Sequence, residues 1–585
     1  MIPKMEAEFS MTIQTQERAI QAYEQWLSSR VIDEGSKDEL RELTHNENEI
    51  VDRFYKDLEF GTGGLRGVIG AGTNRINIYT VGKATQGLAA VLQEEYESPS
   101  AVIAYDSRHF SPEFALEAAL VFAGNGVKAY VFDSLRPTPE LSYAVRHLNA
   151  EAGIVITASH NPPEYNGYKV FGADGGQITP DTASRVIEAI GRIGSFEEIV
   201  KLDRVEAEAQ GLLVWLGQEI DDAYTLAVAG VSQNPEIIRE ASGDYRIVFT
   251  PLHGTGNVPV RAVLQHLGFQ HVDIVPEQEQ PDADFSTVQS PNPEEHAAFE
   301  LAITQAKACG ADLILGTDPD ADRMGAVIQD DQEEYFILSG NQSGAIMLHY
   351  LLESMKQKGT LPENGAIIKT IVTSEMGAAI AAAYGMSVFN TLTGFKYIGE
   401  KMTQFEKTGE FECIFGYEES YGYLAGNYAR DKDAVVAAML IAEAGAYYKA
   451  QGKSLYEVLQ ELYDTYGYFA EKLETRTLKG IQGVQLIGGI MSAWRESAPN
   501  EVGGIELSQI EDFSLGLYDL PQENVLKFRL ADGSWFCLRP SGTEPKIKMY
   551  FAAQGSTNEE AQARIAALTQ DVMARIDAYI EPFQK

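Results

Sequence analysis

Cysteine is scarce in this chain. Cys309, Cys413 and Cys537 lie far apart, are odd in number and have no C-x-x-C spacing, so neither a disulfide framework nor a cysteine-ligated zinc site is suggested. A reducing, cytoplasmic setting is expected. Positive charge is short as well: 46 Lys and Arg against 85 Asp and Glu leave a formal charge of −39 at pH 7. Nucleic acid and anionic membrane surfaces both require a surplus of cations on one face, so neither is an expected partner. No apolar run approaches membrane-spanning length. The segment Met1–Arg18 lacks the basic-then-apolar order of a signal peptide. Short solenoid repeats and low-complexity tracts are missing too.

What remains is an ordinary globular composition, 44% hydrophobic and 22% charged over 585 residues. That length exceeds what one hydrophobic core supports, so several domains are expected. Residues 15–57 read as polar helices, with Ala22, Trp26, Leu27 and Val31 forming part of an apolar face. Strand and helix patterns then alternate. Ala101–Tyr105, Ala129–Phe132 and Gly153–Thr157 read as strands around a helix at Ser111–Ala123. Tyr245–Phe249, His271–Val275 and Asp312–Gly316 form a second cycle, with a helix near Val258–Leu267. Ala366–Val372 and Phe411–Phe415 form a third, with a helix near Ser374–Tyr384. This is α/β layering, and each cycle closes on a polar loop, where ligands collect in open α/β sheets. Past about residue 470, strand pairs around the Ala531–Gly533 turn and a final helix over 557–579 indicate a smaller α+β unit. Ala561, Ile565, Leu568, Val572, Ile576 and Ile580 mark that helix's buried face, and Met573 needs no special role.

Four loops carry residues suited to phosphoryl chemistry. Thr157-Ala-Ser159-His160-Asn-Pro-Pro-Glu-Tyr-Asn-Gly-Tyr-Lys169 reads as a turn-forming loop presenting one serine beside a histidine and a lysine. A serine that accepts a phosphoryl group needs a base and cations nearby. Asp318-Pro-Asp320-Ala-Asp322-Arg323 follows a buried strand, and alternate residues of an extended chain point to one side, so three carboxylates converge. Such a set suits a hard ion such as Mg²⁺. A solvated acidic turn or a calcium loop is the plainer reading, but the Gly and distal Glu of an EF-hand are missing. Three oxygens leave coordination positions open on an octahedral ion, and a seryl phosphate oxygen at Ser159 could fill one of them. Gly416-Tyr-Glu418-Glu-Ser420 offers acceptors at alternate positions for two sugar hydroxyls. Arg539-Pro-Ser541-Gly542-Thr543 offers a guanidinium, two hydroxyls and free N–H groups around a glycine, a phosphate cradle beyond an ordinary Pro-Ser-Gly turn.

Other segments are ambiguous alone. Thr393-Gly394-Phe-Lys396 opens a helix, which suits a sugar or phosphate and equally a simple cap. Arg430-Asp-Lys432-Asp433 reads either as helix N-terminal charge or as a source of cleft cations. The glycine loop 61–67 with Arg66, and Tyr105–Arg108, gain weight only from the company they keep.

Taken together, these segments resemble the α-D-phosphohexomutase family from about Phe60 to Lys548, with all four loops in the family's order. The resemblance implies three related α/β mixed-sheet domains and a smaller C-terminal α+β domain around a central cleft. Expected divisions are 1–210 with the N-terminal helices and serine loop, 211–330 with the metal loop, 331–468 with the sugar loop and 469–585 with the phosphate loop. It implies a Mg²⁺-dependent phosphosugar mutase, an isomerase working through a phosphoserine at Ser159 and a glucose 1,6-bisphosphate intermediate. Asp318, Asp320 and Asp322 would hold Mg²⁺, Glu418 and Ser420 the sugar, Ser541 and Thr543 the phosphate, with Arg323 and Arg539 assisting. Lys169 or Lys432 would act as base if positive neighbours depress its pKa, Lys169 being favoured.

Some phosphomannomutase-type members carry a histidine where this chain has Gly422. Together with Gly-Phe-Lys-Tyr at 394–397, this looks more like the longer phosphoglucomutases, a branch that includes phosphopentomutases. Interconversion of glucose 1-phosphate and glucose 6-phosphate is therefore expected, by a monomer or homodimer. Mannose or pentose phosphates, a phosphatase and a non-catalytic sugar-phosphate-binding regulator are the alternatives.

Overall fold

The protein, as a computed structural model, is described over residues 2–583 apart from Thr62, Ser242, Lys479 and 542–545. The described residues form four sheets. The first orders its strands Gly64–Val68, Tyr165–Gly172, Ala152–Ile156, Ser100–Tyr105, Lys128–Phe132 and Leu213–Leu216. The last four run parallel, while Tyr165–Gly172 is antiparallel to both its neighbours. The second sheet orders Tyr335–Ile337, Met324–Gln329, Leu313–Thr317, Arg246–Thr250 and His271–Ile274. The third orders Ser387–Thr391, Gly365–Thr370, Glu412–Glu418 and Gly422–Ala425. The fourth, antiparallel throughout, runs from Tyr468–Thr477 through Lys546–Gly555, Trp535–Pro540, Leu526–Leu530 and Ile505–Asp512 to Glu501–Val502. Three mixed α/β sheets and one antiparallel sheet thus match the expected fold class.

Two expected divisions shift. Leu213–Leu216 pairs with Lys128–Phe132, so the first sheet runs past residue 210. Tyr335–Ile337 pairs with Met324–Gln329, so the second runs past 330. Both are short edge strands whose patterns are too brief to read.

The parallel strands are buried on both faces and read as continuous apolar runs, as Ala101–Tyr105 and Leu313–Gly316 do. One hydrophobic cluster spans the second and third sheets, joining Ile247, Phe249 and Leu315 to Ile367, Phe415 and Leu424 through the helix Ala434–Ala450. That helix is apolar on every side, as an internal helix must be. The first and fourth sheets keep cores of their own. In the last of these, Asn558–Ile580 buries Ala561, Ile565, Leu568, Val572, Ile576 and Ile580, as its spacing predicts. At the other end of the chain, Trp26 packs edge-on to Phe54 and Tyr79. Ile32 is buried there and Val31 exposed, because the first helix stops at Ser28 and the expected face does not continue. No helix among the described residues is long and apolar enough to cross a membrane.

Gly445 sits where the central helix crosses Tyr245 of the second unit. A Cβ there would lie 1.8 Å from the Tyr245 hydroxyl and 2.6 Å from its Cζ. That hydroxyl is buried without a hydrogen-bond partner among the described residues, so its removal forfeits little. Gly445→Ala is expected to destabilise the protein by about 1–3 kcal/mol through overpacking. Tyr245→Phe should be close to neutral, and the double variant should recover part of the loss in urea denaturation.

Candidate active site

Ser159 lies three residues past the strand Ala152–Ile156, Asp318 directly after Leu313–Thr317, and Glu418 at the last position of Glu412–Glu418. All three strands are parallel members of their sheets. Their carboxyl ends bring the polar loops together, as the topology of such sheets favours.

Ser159 is 4% exposed and adopts φ 55°, a left-handed conformation unusual for serine. Its N–H donates to Thr157 Oγ1 at 2.8 Å, and its Oγ–H donates to Asp318 Oδ2 at 2.8 Å. His160 Nδ1 lies 3.2 Å from the same Oγ. Burial, reinforced by Arg323 and Arg66, pushes the His160 imidazole well below its usual pKa, so it is neutral at pH 7. The loop packs tightly on the next strand. A Cβ at Gly167 would lie 2.4 Å from the Thr157 carbonyl oxygen.

One carboxylate oxygen from each of Asp318, Asp320 and Asp322 falls within a 4.8 Å span, and all three side chains are buried. The convergence is real, but its cause differs from the expected extended chain. The segment is a turn in which the Ala321 N–H donates to the Asp318 carbonyl at 2.9 Å and Ala321 takes φ 49°. Asp318 Oδ1 accepts from the N–H groups of Asp322 and Arg323 at 3.1 and 3.0 Å. Oδ1 of Asp320 and Oδ1 of Asp322 are buried with no hydrogen-bond partner among the described residues. Unspent anionic oxygens in a cluster of three carboxylates fit a hard, oxygen-seeking cation.

Two lysines reach this cluster from other units. Lys169 Nζ lies 2.7 Å from Asp320 Oδ2 and 3.0 Å from Asp322 Oδ2, and Lys432 Nζ lies 2.9 Å from Asp322 Oδ2. Burial and its two sister aspartates push Asp318 well up, whereas Lys169 and Lys432 outweigh burial at Asp322 and hold its pKa down. Burial disfavours both ammonium groups. Asp320 and Asp322 overcome this at Lys169, as Asp322 and Asp431 do at Lys432, and both pKa values rise. The expected depression that would make either lysine a base is therefore not found. Each is a cation balancing buried carboxylates.

Glu418 is 6% exposed, and burial pushes it up to about 7 despite Lys432. The Lys432 stem passes so near that a Cβ at position 422 would lie 2.6 Å from its Cδ and 2.9 Å from Glu418 Oε1, so Gly422 is a packing requirement here. Ser420 is half-buried in the turn between two paired strands. Arg323 pairs with Glu294. Toward the fourth unit, Thr393 Oγ1 and Arg539 Nε are buried without hydrogen-bond partners among the described residues. Gly394 precedes the helix Phe395–Thr408 that carries Lys396. Lys548 pairs across the sheet with Arg539, and burial together with Arg323 pushes the Lys548 pKa down. Ser541 stands at the exit of Trp535–Pro540, its N–H donating to the Lys546 carbonyl at 2.8 Å, while Gly542 and Thr543 lie outside the described residues.

Three expectations change place. Lys169 and Arg66 sit on strands, Tyr165–Gly172 and Gly64–Val68, where loops were read. Arg430 is fully buried and turned from the cleft. Its guanidinium spends four of its five N–H donors on Glu406, Thr403 and the carbonyls of Asn427 and Ala429, so it braces a helix. Other supports carried no local signal. Thr138 donates through N and Oγ1 to the Asp320 carbonyl and Oδ2 at 2.9 and 2.8 Å. Thr255 donates through N and Oγ1 to the Pro319 carbonyl at 2.8 and 2.9 Å.

Known proteins share this arrangement. The phosphoglucomutase/phosphomannomutase alpha/beta/alpha domains I, II and III match residues 57–196, 222–331 and 339–466, and the C-terminal domain matches 476–568. A phosphoglucomutase of Staphylococcus haemolyticus is 37% identical over 88% of this chain and 93% of its own. One of Staphylococcus epidermidis is 40% identical over 84% of this chain and 90% of its own. In fold, the chain is similar to pp63/parafusin, a phosphoglucomutase of Paramecium, at a TM-score of 0.70 with 18% identity, covering 90% of this chain and 96% of that one. A buried serine on a carboxylate triad within this four-part fold, with these relatives, defines a mutase, an isomerase. The chain belongs to the phosphoglucomutase/phosphomannomutase family, the α-D-phosphohexomutases.

Glu418 leaves a signature in pH. Its pKa rises from 4.5 to about 7 on folding, so between these values the folded state binds more protons than the unfolded. Its contribution is therefore favourable below about pH 4.5 and is lost as pH rises through 7, by up to about 3 kcal/mol. Glu418→Gln should flatten that fall when urea midpoints are compared with wild type from pH 5 to 8.

Proposed function

We propose that the protein interconverts glucose 1-phosphate and glucose 6-phosphate through a phosphoseryl enzyme at Ser159 and a glucose 1,6-bisphosphate intermediate, in a cytoplasmic setting. The observation that carries the reading is Ser159 Oγ, 2.8 Å from Asp318 Oδ2 within the buried triad. The name borne by relatives at 37 and 40% identity supports glucose as the sugar.

A free hydroxyl of the sugar monophosphate attacks the phosphorus on Ser159. The Oγ–P bond breaks as the new O–P bond forms, and the hydroxyl proton ends on Ser159 Oγ. The bisphosphate then turns about, and its other phosphate returns to Ser159 by the reverse step. His160, neutral and 3.2 Å from Oγ, is placed to carry the proton. Lys169 and Lys432 stay protonated and offset charge on the phosphoryl group. Asp318, Asp320 and Asp322 would hold Mg²⁺, which would supply further positive charge there. Glu418, near half-protonation at pH 7, both accepts from and donates to sugar hydroxyls, with Ser420 beside it. Arg323, Thr393, Lys396, Arg539 and Ser541 would receive the distal phosphate.

Ser159→Ala is expected to lower turnover of glucose 1-phosphate at least about 10⁴-fold, with substrate affinity changed only a few-fold. Wild-type activity should require trace glucose 1,6-bisphosphate, disappear with EDTA and return with Mg²⁺. Mannose 1-phosphate or ribose 1-phosphate outperforming glucose 1-phosphate in kcat/KM would move the substrate assignment, and full activity in Ser159→Ala would overturn the mechanism.

A further inference from the structure

Arg108 lies between the strand Ser100–Tyr105 and the helix Ser111–Gly124, beside the strand that leads to Ser159. Its side chain is fully buried. Nη1 donates to the carbonyls of Pro162 and Tyr165 at 2.8 and 3.0 Å. Nη2 donates to those of Ser159 and Asn161 at 2.6 and 2.5 Å. Four of its five N–H donors are thus spent on one loop, and the fifth, on Nε, faces Asp106 Oδ2 at 3.3 Å. Asp106 is anchored in turn, accepting at Oδ1 from the Arg108 N–H and from Ser111 Oγ, both at 2.9 Å.

Besides the bonds of Ser159 to Thr157 and Asp318, the loop is tied at the Glu164 carbonyl, which accepts from the Ile69 N–H at 2.8 Å. Within it, the Asn161 N–H donates to the Ala158 carbonyl and the Tyr165 N–H to the Pro162 carbonyl, each at 3.1 Å. A planar guanidinium fork reaches four carbonyls at once at fixed angles. The guanidinium accordingly sets the backbone around the left-handed Ser159.

Its other face meets the second unit. The Phe285 ring, 1% exposed, lies 5.0 Å from the Arg108 Cζ, and His109 Nε2 lies 2.7 Å from Asp284 Oδ1. From the segment holding Phe285, contacts run on to the metal loop. His253 joins the Gln280 carbonyl through Nδ1 at 2.9 Å and Thr287 Oγ1 through Nε2 at 2.8 Å. Two residues later, Thr255 holds the carbonyl of Pro319, between Asp318 and Asp320.

We propose that Arg108 is a positioning residue for phosphoryl transfer, aiming Ser159 Oγ by its hold on the loop carbonyls and fixing the distance from that loop to the Asp318 turn by its stack on Phe285. The inference rests on the reading that Ser159 carries the phosphoryl group. Arg108 touches neither substrate nor reacting atoms. It acts through the backbone, where a displacement of about 1 Å costs about a hundredfold in rate.

Arg108→Lys keeps the charge and loses the fork. The expected result is a fall in kcat of about a hundredfold with KM for glucose 1-phosphate within about threefold. The single-turnover rate of phosphoryl transfer from glucose 1,6-bisphosphate to the enzyme, per folded molecule, should fall equally. A purely structural role would lower the melting temperature and the folded fraction but leave that rate unchanged, and such a result would overturn the proposal. If Arg108→Lys does not fold, Phe285→Leu carries the test. It leaves the carbonyl bonds intact and should slow the same step about fivefold, an unchanged rate overturning the proposal. Ser159→Ala run in parallel separates the two readings. Turnover surviving there removes the phosphoseryl mechanism and this inference with it, whereas an inactive Ser159→Ala beside a fully active Arg108→Lys removes only this inference.

Discussion

The mutual repulsion of three buried carboxylates is the constraint on which the rest of the site depends. Asp318, Asp320 and Asp322 occupy one turn of the second unit, with side chains almost wholly removed from water. Buried anions at such separations require cations. The chain meets the requirement from outside that unit: Lys169 comes from the first sheet and Lys432 from the entrance to the central helix. Charge balance at the turn thereby specifies how three units assemble. The overall acidity of the protein, −39 at pH 7, makes this local gathering of cations a property of the fold, because the mean field of the molecule works against it.

The same turn is held mechanically as well as electrostatically. Thr138 opens a helix of the first unit and binds Asp320 by side chain and backbone, and Thr255 holds Pro319 from within the second. Asp433 caps the central helix through the N–H groups of Val435 and Val436 while accepting from the hydroxyls of Tyr224 and Tyr428. The cap fixes where the helix begins, and therefore where Lys432, one residue earlier, points. A core helix and a cleft cation are in this way placed by one carboxylate.

Much of this was legible in the sequence, for reasons that also explain what was not. Apolar runs of five or six residues marked the parallel strands, because strands buried on both faces have no polar alternation to blur. The serine and aspartate loops stood out because several chemistry-bearing residues sit within a few positions of one another. Side-chain direction was not legible. Arg430 and Lys432 are two residues apart and equally cationic, yet one braces Glu406 and the other faces Asp322. Nor was ionisation, since Lys169 is held charged by aspartates more than 150 residues away in sequence. Thr138 and Arg108 gave no local pattern at all, their meaning arising only from contacts between distant segments. The short edge strands Leu213–Leu216 and Tyr335–Ile337 were missed because partners, not periodicity, define them.

Counted by sheets the described molecule has four parts, but counted by continuity of apolar contact the middle two are one. Cooperativity follows the core and not the sheet. The second and third sheets share one core, and a cut between them would strip the helix Ala434–Ala450 of apolar cover. Any account of this architecture as a string of independently exchangeable modules has to treat that pair as indivisible, leaving the terminal units as the pieces with the thermodynamic freedom to act alone.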